Sequence, residues 1–428
     1  MYKKSKFNIY SLDGEKLIIY NTLSGGLISL KENYLEDFND FDYNGKCQNK
    51  ELEDNLKKGK MIVEEDMDEN KYIDIMHNIQ KYNNYHVSLT IAPTLECNFA
   101  CTYCYEAGRR YTSMNHEIED KIIEYLDANL EKENKTLHIT WYGGEPLLKT
   151  DTIYRISKHI ASKGYTYTSG IVTNGYLLDY EIGKKLKECS ISHIQVTIDG
   201  PPEIHDKRRM LLNGGPTFEK IMENVSEICN ETNISIRVNI DRDNLKKVAE
   251  MLDIFDTYNL KGKVGVYLAP VDNINGTCSQ SNCLSSKEFA DVNAEFYEKY
   301  NYRGYSNINL PTSNLYICGA INPYSLIISP NGDLYKCWDD IGNNSEKVGN
   351  ISEGISLTPK NVSWISYDYM IDSECNSCEI LPICMGGCPN FNMKGGQKKC
   401  HPLKYNHEKI IKMIITLYNQ KQNNNNGQ

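Results

Sequence analysis

The rhythm of apolar and polar positions changes three times along the chain. Over residues 1 to about 82 the runs are short. Lys6–Tyr10 and Leu17–Tyr20 flank Asp13-Gly14 and predict a hairpin, and Gly26–Leu30 predicts a further strand. Lys31–Asp40 is acidic and helix-like, Glu51–Lys58 reads as helix, and Met61–Glu65 reads as another short strand. A small α+β unit over residues 1–85 follows. From residue 86 strand-like and helix-like segments alternate. His86–Ala92 is strand-like, and Ile118, Ile122, Ile123, Leu126 and Leu130 give helical spacing to 115–132. Strands follow at 136–142, 170–173, 193–198, 234–240 and 264–269, separated by helices at 151–162, 179–187, 218–229 and 245–258 and followed by one at 287–300. Six strand–helix units in series predict an α/β fold, a parallel sheet curled into a barrel or partial barrel over 86–309. In such folds functional groups gather at the C-terminal ends of the strands.

Between residues 310 and 405 the alternation stops. Cysteine, glycine and proline dominate, and only one hairpin is clear, with Ser325–Ile328 and Leu334–Cys337 around Pro330-Asn331-Gly332-Asp333. Such a segment is short of apolar residues for a core of its own, so metal clusters are expected to staple it. Residues 406–428 read as a terminal helix over 406–418 and a polar, Asn-rich tail expected to be disordered.

Composition narrows the function classes. The net charge of −10 argues against nucleic-acid binding, which needs a basic footprint. No apolar run approaches the ~18 residues of a membrane span, and the basic start lacks the apolar stretch of a signal peptide. A cytoplasmic protein without nucleic-acid or membrane partners is expected. The 15 cysteines are an odd number, which a complete intramolecular disulfide set cannot use, and they point to metal or catalysis. Three lie within 97–104 and seven within 318–400.

At the end of the first barrel strand stands Cys97-Asn98-Phe99-Ala100-Cys101-Thr102-Tyr103-Cys104. Three thiolates so close suit an iron–sulfur cube and leave one iron for an outside ligand. A helical stripe of buried cysteines is the bland alternative, disfavoured by the absence of apolar periodicity around it. This spacing resembles the radical S-adenosylmethionine (radical SAM) enzymes, which carry it after the first strand of a partial (β/α)6 barrel; in them the open iron binds the amino and carboxylate groups of S-adenosylmethionine and its reductive cleavage yields a 5′-deoxyadenosyl radical. The resemblance extends to Gly143-Gly144-Glu145-Pro146 after the second strand, matching a motif that holds the methionine amino group. It implies further cofactor contacts at Tyr103 (adenine), Thr173 and Asn174 (third strand end), Thr197 (in place of the usual Ser) and Arg209 (carboxylate).

The C-terminal cysteines read Cys318, Cys337, Cys375, Cys378, Cys384, Cys388 and Cys400. Paired C-x2-C units also suit zinc, but seven cysteines are too many for one site and one too few for two. The pattern resembles the SPASM extension of radical SAM enzymes acting on peptides and proteins. That resemblance implies two auxiliary [4Fe-4S] clusters beside the radical SAM cluster, three in all. Cluster II would be held by Cys375, Cys378, Cys384 and Cys400. Cluster I would be held by Cys318, Cys337 and Cys388, one ligand short, with Cys278 or Cys283 able to fold back to complete it. Sulfatase maturases add a cysteine where this chain has Tyr324, and carry their base where it has Trp338. Asp339 or Asp340 is the general-base candidate here, solvated or capping carboxylates being the bland alternative. Cys47, Cys189 and Cys229 read as small buried hydrophobes.

The first 85 residues resemble, in pattern only, the winged-helix element that binds leader peptides by strand addition. A structural cap and a DNA-binding wing are the alternatives, the latter disfavoured by Glu32, Glu36, Asp37, Asp40 and Asp42. The expectation is a maturase of ribosomally made peptides, resembling sactipeptide and ranthipeptide enzymes that form cysteine thioether crosslinks. Its partners would be a precursor peptide and an electron donor such as flavodoxin or ferredoxin. The alternatives are a carbon–carbon crosslinking or decarboxylating peptide maturase, an anaerobic sulfatase-maturating enzyme, and a non-catalytic iron–sulfur carrier.

Overall fold

The computed structural model describes residues 1–106, 108, 111–130, 135–273, 282–305, 308–315, 318–354, 356–396 and 398–426. The N-terminal segment holds five strands: β1 (Tyr2–Lys4), β2 (Asn8–Asp13), β3 (Lys16–Asn21), β4 (Leu27–Leu30) and β5 (Ile62–Glu64). β2, β3 and β4 form an antiparallel sheet, and β1 pairs with β5. The Asp13-Gly14 turn works because Gly14 takes φ +60° without a Cβ clash. Helices Lys50–Lys58 and Glu69–Lys81 begin on the side-chain caps Asn49 and Asp68. The second of these escaped the sequence reading. Its buried stripe is Glu69, Ile73, His77 and Lys81, and three of those four are polar, so apolar periodicity is weak.

The centre is a six-stranded parallel array, β6 (His86–Thr94), β7 (Thr136–Gly143), β8 (Thr166–Thr173), β9 (Ile191–Thr197), β10 (Asn233–Ile240) and β11 (Val264–Pro270), ordered as in the sequence. Helices His116–Leu130, Thr150–Lys163, Tyr180–Glu188, Phe218–Ile228 and Val248–Thr257 cover it. Leu89, Ile91, Ile139, Trp141, Ile194, Val196, Ile236 and Val238 meet Ile122, Leu126, Ile153, Ile156, Val225 and Phe255 in one continuous core. A short helix the sequence reading lacked, Pro202–Arg208, follows β9.

β6 and β11 do not pair, so the barrel is open. The open edge of β6 takes β12 (Ser325–Ile328) in parallel, register Ser325↔Ser88 to Ile328↔Ile91, followed by β13 (Asp333–Tyr335) and β14 (Gly349–Asn350). The cysteine-rich hairpin thus continues the barrel sheet, and Leu326, Ile328 and Leu334 are buried in the barrel core.

The N-terminal segment packs against the cysteine-rich region. Phe7 and Ile73 share a cluster with Tyr369, Cys375, Leu381 and Met385. Ile9, Ile18 and Tyr20 share another with Ile380, Ile383, Leu403 and Ile411. Thr22 Oγ1 donates to the Glu379 carbonyl (2.5 Å) and Lys6 Nζ to that of Asn376 (2.6 Å). The terminal helix runs Leu403–Asn426, with a non-helical break at Asn406, so its backbone continues through most of the tail expected to be disordered. Extending an existing helix costs far less than nucleating one.

Candidate active site at the open barrel mouth

The cysteine loop 97–104 is stitched down by backbone bonds: Ala100 N–H to Met210 O (2.8 Å), Thr102 N–H to Arg208 O (2.9 Å) and Leu212 N–H to Asn98 O (3.0 Å). On its other side lies the Gly143-Gly144 pair. A Cβ on Gly143 would stand 2.3 Å from the Thr94 carbonyl oxygen, and one on Gly144 2.3 Å from that of Glu96. Gly144 N–H and Glu145 N–H donate to those same carbonyls. The glycines therefore let β7 press against the strand end that leads into the cysteine loop, which a side chain would forbid.

Glu145 is fully buried and accepts three hydrogen bonds, from Leu147 N–H (3.0 Å), Thr173 Oγ1 (2.7 Å) and Asn174 N–H (2.7 Å). Burial raises its carboxyl above the ordinary value, and the three donors work against that rise. A carboxylate has about four lone-pair directions, so one is left for a ligand. Asn174 Nδ2 donates to Asn98 Oδ1 (2.7 Å) and so ties the β8 end to the cysteine loop.

Tyr103 reaches the opposite wall. Its hydroxyl donates to Asp199 Oδ2 (2.5 Å) and accepts from Arg209 Nη1 (2.9 Å) and Asn239 Nδ2 (3.1 Å). Arg208 bridges two buried carboxylates, Nε to Asp199 (3.2 Å) and Nη1 to Asp241 (2.7 Å), with its guanidinium 5.0 Å from the Tyr103 ring centroid. Asp199 N–H donates to His205 Nδ1 (3.2 Å), which fixes His205 as the neutral acceptor. Burial, then Arg209 and Arg208, hold its pKa far below the usual range. The sequence reading gave a role to Arg209 but none to Asp199, Arg208 or Asp241. The signal was a carboxylate within two residues of the end of each of two adjacent strands, together with the doubled arginine.

Arg209 is buried with Nε unpartnered, as is Nη2 of Arg208. Unpaired guanidinium donors beside the cysteine loop suit a carboxylate-bearing ligand. Thr197 is buried at the β9 end, opposite Arg237. Burial pushes the Cys97 thiol up to about 12, and raises Cys101 and Cys104 while Arg209 works against both rises. Thiols held this way stay protonated until a cation stabilises the thiolate.

Beyond the β6 edge lie Cys318, Cys337 and Cys388. Each thiol is raised first by burial, and Cys318 interacts electrostatically with both of the others. Asn390 Nδ2 contacts Cys337 Sγ at 3.1 Å. The flanking Lys336 is buried, donates to the Asn322 and Ser325 carbonyls (2.6 and 2.8 Å), and is lowered by burial to about 7. Asp340 is buried in an ion pair with Lys394. Asp339 is half-buried, raised first by burial and then by Asp340 and Asp272. Trp338 packs on Tyr142 (centroids 4.7 Å), whose hydroxyl bonds that of Tyr105. Cys283 is disulfide-bonded, and Cys278 lies outside the described residues. Of the three cysteines read as hydrophobes, Cys229 is buried and Cys47 and Cys189 are half-buried.

Cys375, Cys378, Cys384 and Cys400 line one cavity, together with Glu374, Lys398 and Lys404. Among the described residues no three His, Cys, Asp or Glu converge as closely as a single metal ion needs. Four thiols lining one cavity are the soft donor set that an iron–sulfur cluster takes.

The site is thus a cysteine loop at the C-terminal mouth of an open, parallel α/β barrel. The profile of the radical SAM superfamily matches residues 91–255, and the chain carries a radical SAM domain there. That superfamily implies S-adenosylmethionine and a [4Fe-4S] cluster. The chain is 26% identical over 321 residues to the radical SAM cyclopropyl synthase TigE of Paramaledivibacter caminithermalis, covering 68% of this chain and 66% of that protein. Serine-type and cysteine-type anaerobic sulfatase-maturating enzymes are also relatives. The fold is shared with anSMEcpe with bound AdoMet (TM-score 0.62, 19% identity, 79% of this chain and 95% of that one). It is shared too with Streptococcus suis SuiB bound to precursor peptide SuiA (TM-score 0.57, 17% identity, 94% and 98%). Among the described residues no helix is long and apolar enough to cross a membrane.

Proposed function

We propose that this chain is a radical SAM maturase of a ribosomally made precursor peptide, forming thioether links from cysteine sulfur to carbon. The observation that carries the reading is the N-terminal sheet. The β2 edge packs on the terminal helix, whereas β4 ends the sheet with no strand beside it among the described residues. An open edge strand is a ready template for an extended peptide. The SuiB fold likeness spans 94% of this chain, and that protein is described with a precursor peptide bound.

In this reading Cys97, Cys101 and Cys104 hold the radical SAM cluster. Cys375, Cys378, Cys384 and Cys400 hold auxiliary cluster II, and Cys318, Cys337 and Cys388 hold cluster I with an open position for a substrate thiolate. The clusters and S-adenosylmethionine, when bound, supply the 5′-deoxyadenosyl radical and the one-electron chemistry. Arg209 binds the cofactor carboxylate, the remaining lone pair of Glu145 takes its amino group, and Tyr103 walls the adenine side. Asp340 is committed to Lys394, so Asp339 is the carboxylate to accept the substrate thiol proton.

The test is anaerobic reaction of reduced enzyme, S-adenosylmethionine and a short cysteine-containing peptide encoded beside the gene, read by intact mass before and after thiol alkylation. Loss of two hydrogens per modification, with cysteines resistant to alkylation after disulfide reduction, supports thioethers. Hydrogen loss with all cysteines still alkylatable moves the reading to carbon–carbon or carbon–oxygen crosslinks. Sulfatase maturation is the second reading, favoured by the relatives of that name. Conversion of a sulfatase-derived Cys or Ser peptide, with the precursor untouched, would establish it.

A further inference from the structure

The cavity lined by Cys375, Cys378, Cys384 and Cys400 has a second ring of groups that the proposed function leaves idle. Lys404 Nζ stands 3.8 Å from Cys400 Sγ and forms an ion pair with Glu374 Oε1. Lys398 forms ion pairs with Asp372 (2.7 Å) and Glu374 (3.5 Å), and its positive charge acts on the Cys375 thiol. Glu374 thus holds both lysines, and the two lysines reach two different cysteines. His401 N–H adds a contact to Cys384 Sγ (3.4 Å). The carboxylates lie at the surface, Glu374 62% and Asp372 46% exposed, while Lys398 and Lys404 are 23% and 28% exposed. Solvent therefore screens the negative partners more than the positive ones.

We infer that Lys398 and Lys404 are cationic donors to the sulfurs of this cradle that raise the reduction potential of its cluster, and that Glu374 positions them. The inference rests on the cluster reading given above. A four-iron cluster with four thiolate ligands is already anionic, and one-electron reduction adds a further negative charge. Positive charge and N–H···S bonds at the ligands stabilise the reduced form more than the oxidised form. Removing either ammonium must then lower the potential. The lysines' partial exposure leaves the cradle within reach of a one-electron carrier in solution.

The test is an anaerobic potentiometric titration of the reconstituted full chain, followed by electron paramagnetic resonance. A Cys378→Ser, Cys384→Ser chain first assigns the cradle's signal. If no signal disappears there, the cluster reading fails, whatever the lysines do. With the signal assigned, Lys404→Met and Lys398→Met each shift its midpoint to more negative potential, Lys404→Arg restores most of the shift, and the barrel cluster's midpoint stays put. Glu374→Gln also shifts it negative, because the lysines lose their anchor. A purely electrostatic Glu374 would shift it positive and would overturn the positioning role. Wild-type midpoints in both methionine variants overturn the inference. Where those variants lose iron, Lys404→Gln and Lys398→Gln carry the same test with the same two outcomes.

Discussion

Replacing Arg208 with Met tests whether the Asp199–Arg208–Asp241 bridge holds the cofactor wall. The side chains of Arg208, Asp199 and Asp241 are 11%, 0% and 4% exposed, so the substitution leaves two carboxylates buried without their shared cation. Breaking a buried pair by removing one partner costs about 3–5 kcal/mol, most of it the penalty of the stranded charge. At ~2 °C per kcal/mol for a large domain, the anaerobic melting temperature should fall by about 6–10 °C. The damage should also be local. Asp199 accepts from the Tyr103 hydroxyl, which in turn accepts from Arg209, so a shifted Asp199 releases both residues at the mouth. Binding of S-adenosylmethionine, measured by calorimetry on the reconstituted protein, should weaken at least about tenfold, or ~1.4 kcal/mol.

Charge relief separates this from simple loss of packing. Arg208→Met with Asp241→Asn removes one stranded charge and should recover a large part of the melting loss, a non-additivity of about 1–3 kcal/mol. A single variant that melts within about 2 °C of wild type would refute the reasoning, as would a double variant worse than the sum of its parts.

Three further outcomes follow from the same geometry. Gly144→Ala drives a Cβ into the Glu96 carbonyl at 2.3 Å, and should displace the cysteine loop and lower iron content at the barrel, as iron analysis and spectroscopy would report. His205 is buried and neutral with a pKa far below 6.5, so the unfolded chain binds the extra proton; its contribution to stability is full above 6.5 and falls by up to about 1.4 kcal/mol per pH unit as the pH drops below that value. Denaturation midpoints between pH 7.5 and 5.5 should therefore fall less in His205→Gln than in wild type. Asp339→Asn should cut peptide crosslinking by about 10²-fold or more yet spare 5′-deoxyadenosine release, whereas Asp340→Asn, breaking the buried pair with Lys394, should cost about 1–3 kcal/mol of stability with chemistry kept.

The barrel is legible in the sequence because its strands and helices are apolar at the right periods, from Leu89 and Ile91 to Met251 and Phe255. The cysteine motifs are legible because chemistry fixes their spacing. What escaped was held by polar contacts. The helix Glu69–Lys81 buries Glu69, His77 and Lys81, and Glu69 accepts from Ser5 Oγ (2.5 Å) and Lys6 N–H (3.0 Å), partners more than sixty residues away. No local pattern announces such a face. The Asp199–Arg208–Asp241 bridge is likewise visible only once β9 and β10 are neighbours. Deleting residues 1–85, attractive on sequence grounds as a test of leader binding, would strip Phe7, Ile9, Tyr20 and Ile73 from the cysteine-rich region. A substitution on the open edge, Leu27→Glu, is the cleaner perturbation.

The open barrel also explains why the two cysteine regions meet. A six-stranded parallel array that does not close leaves β6 with one row of unpaired backbone groups, a liability in any sheet edge. β12 satisfies that row from Ser325 to Ile328, in register with Ser88 to Ile91. The β6 chain continues to Cys97, and the β12–β13 hairpin continues to Cys337, so one edge pairing fixes the spacing between the cysteine loop and the C-terminal set. Tyr142 on β7 spans that gap, bonded to Tyr105 beside Cys104 and packed on Trp338 beside Cys337. Edge pairing and aromatic contact make the hairpin part of the active-site wall, so a substitution in β12 that weakens pairing should disturb both cysteine sets at once.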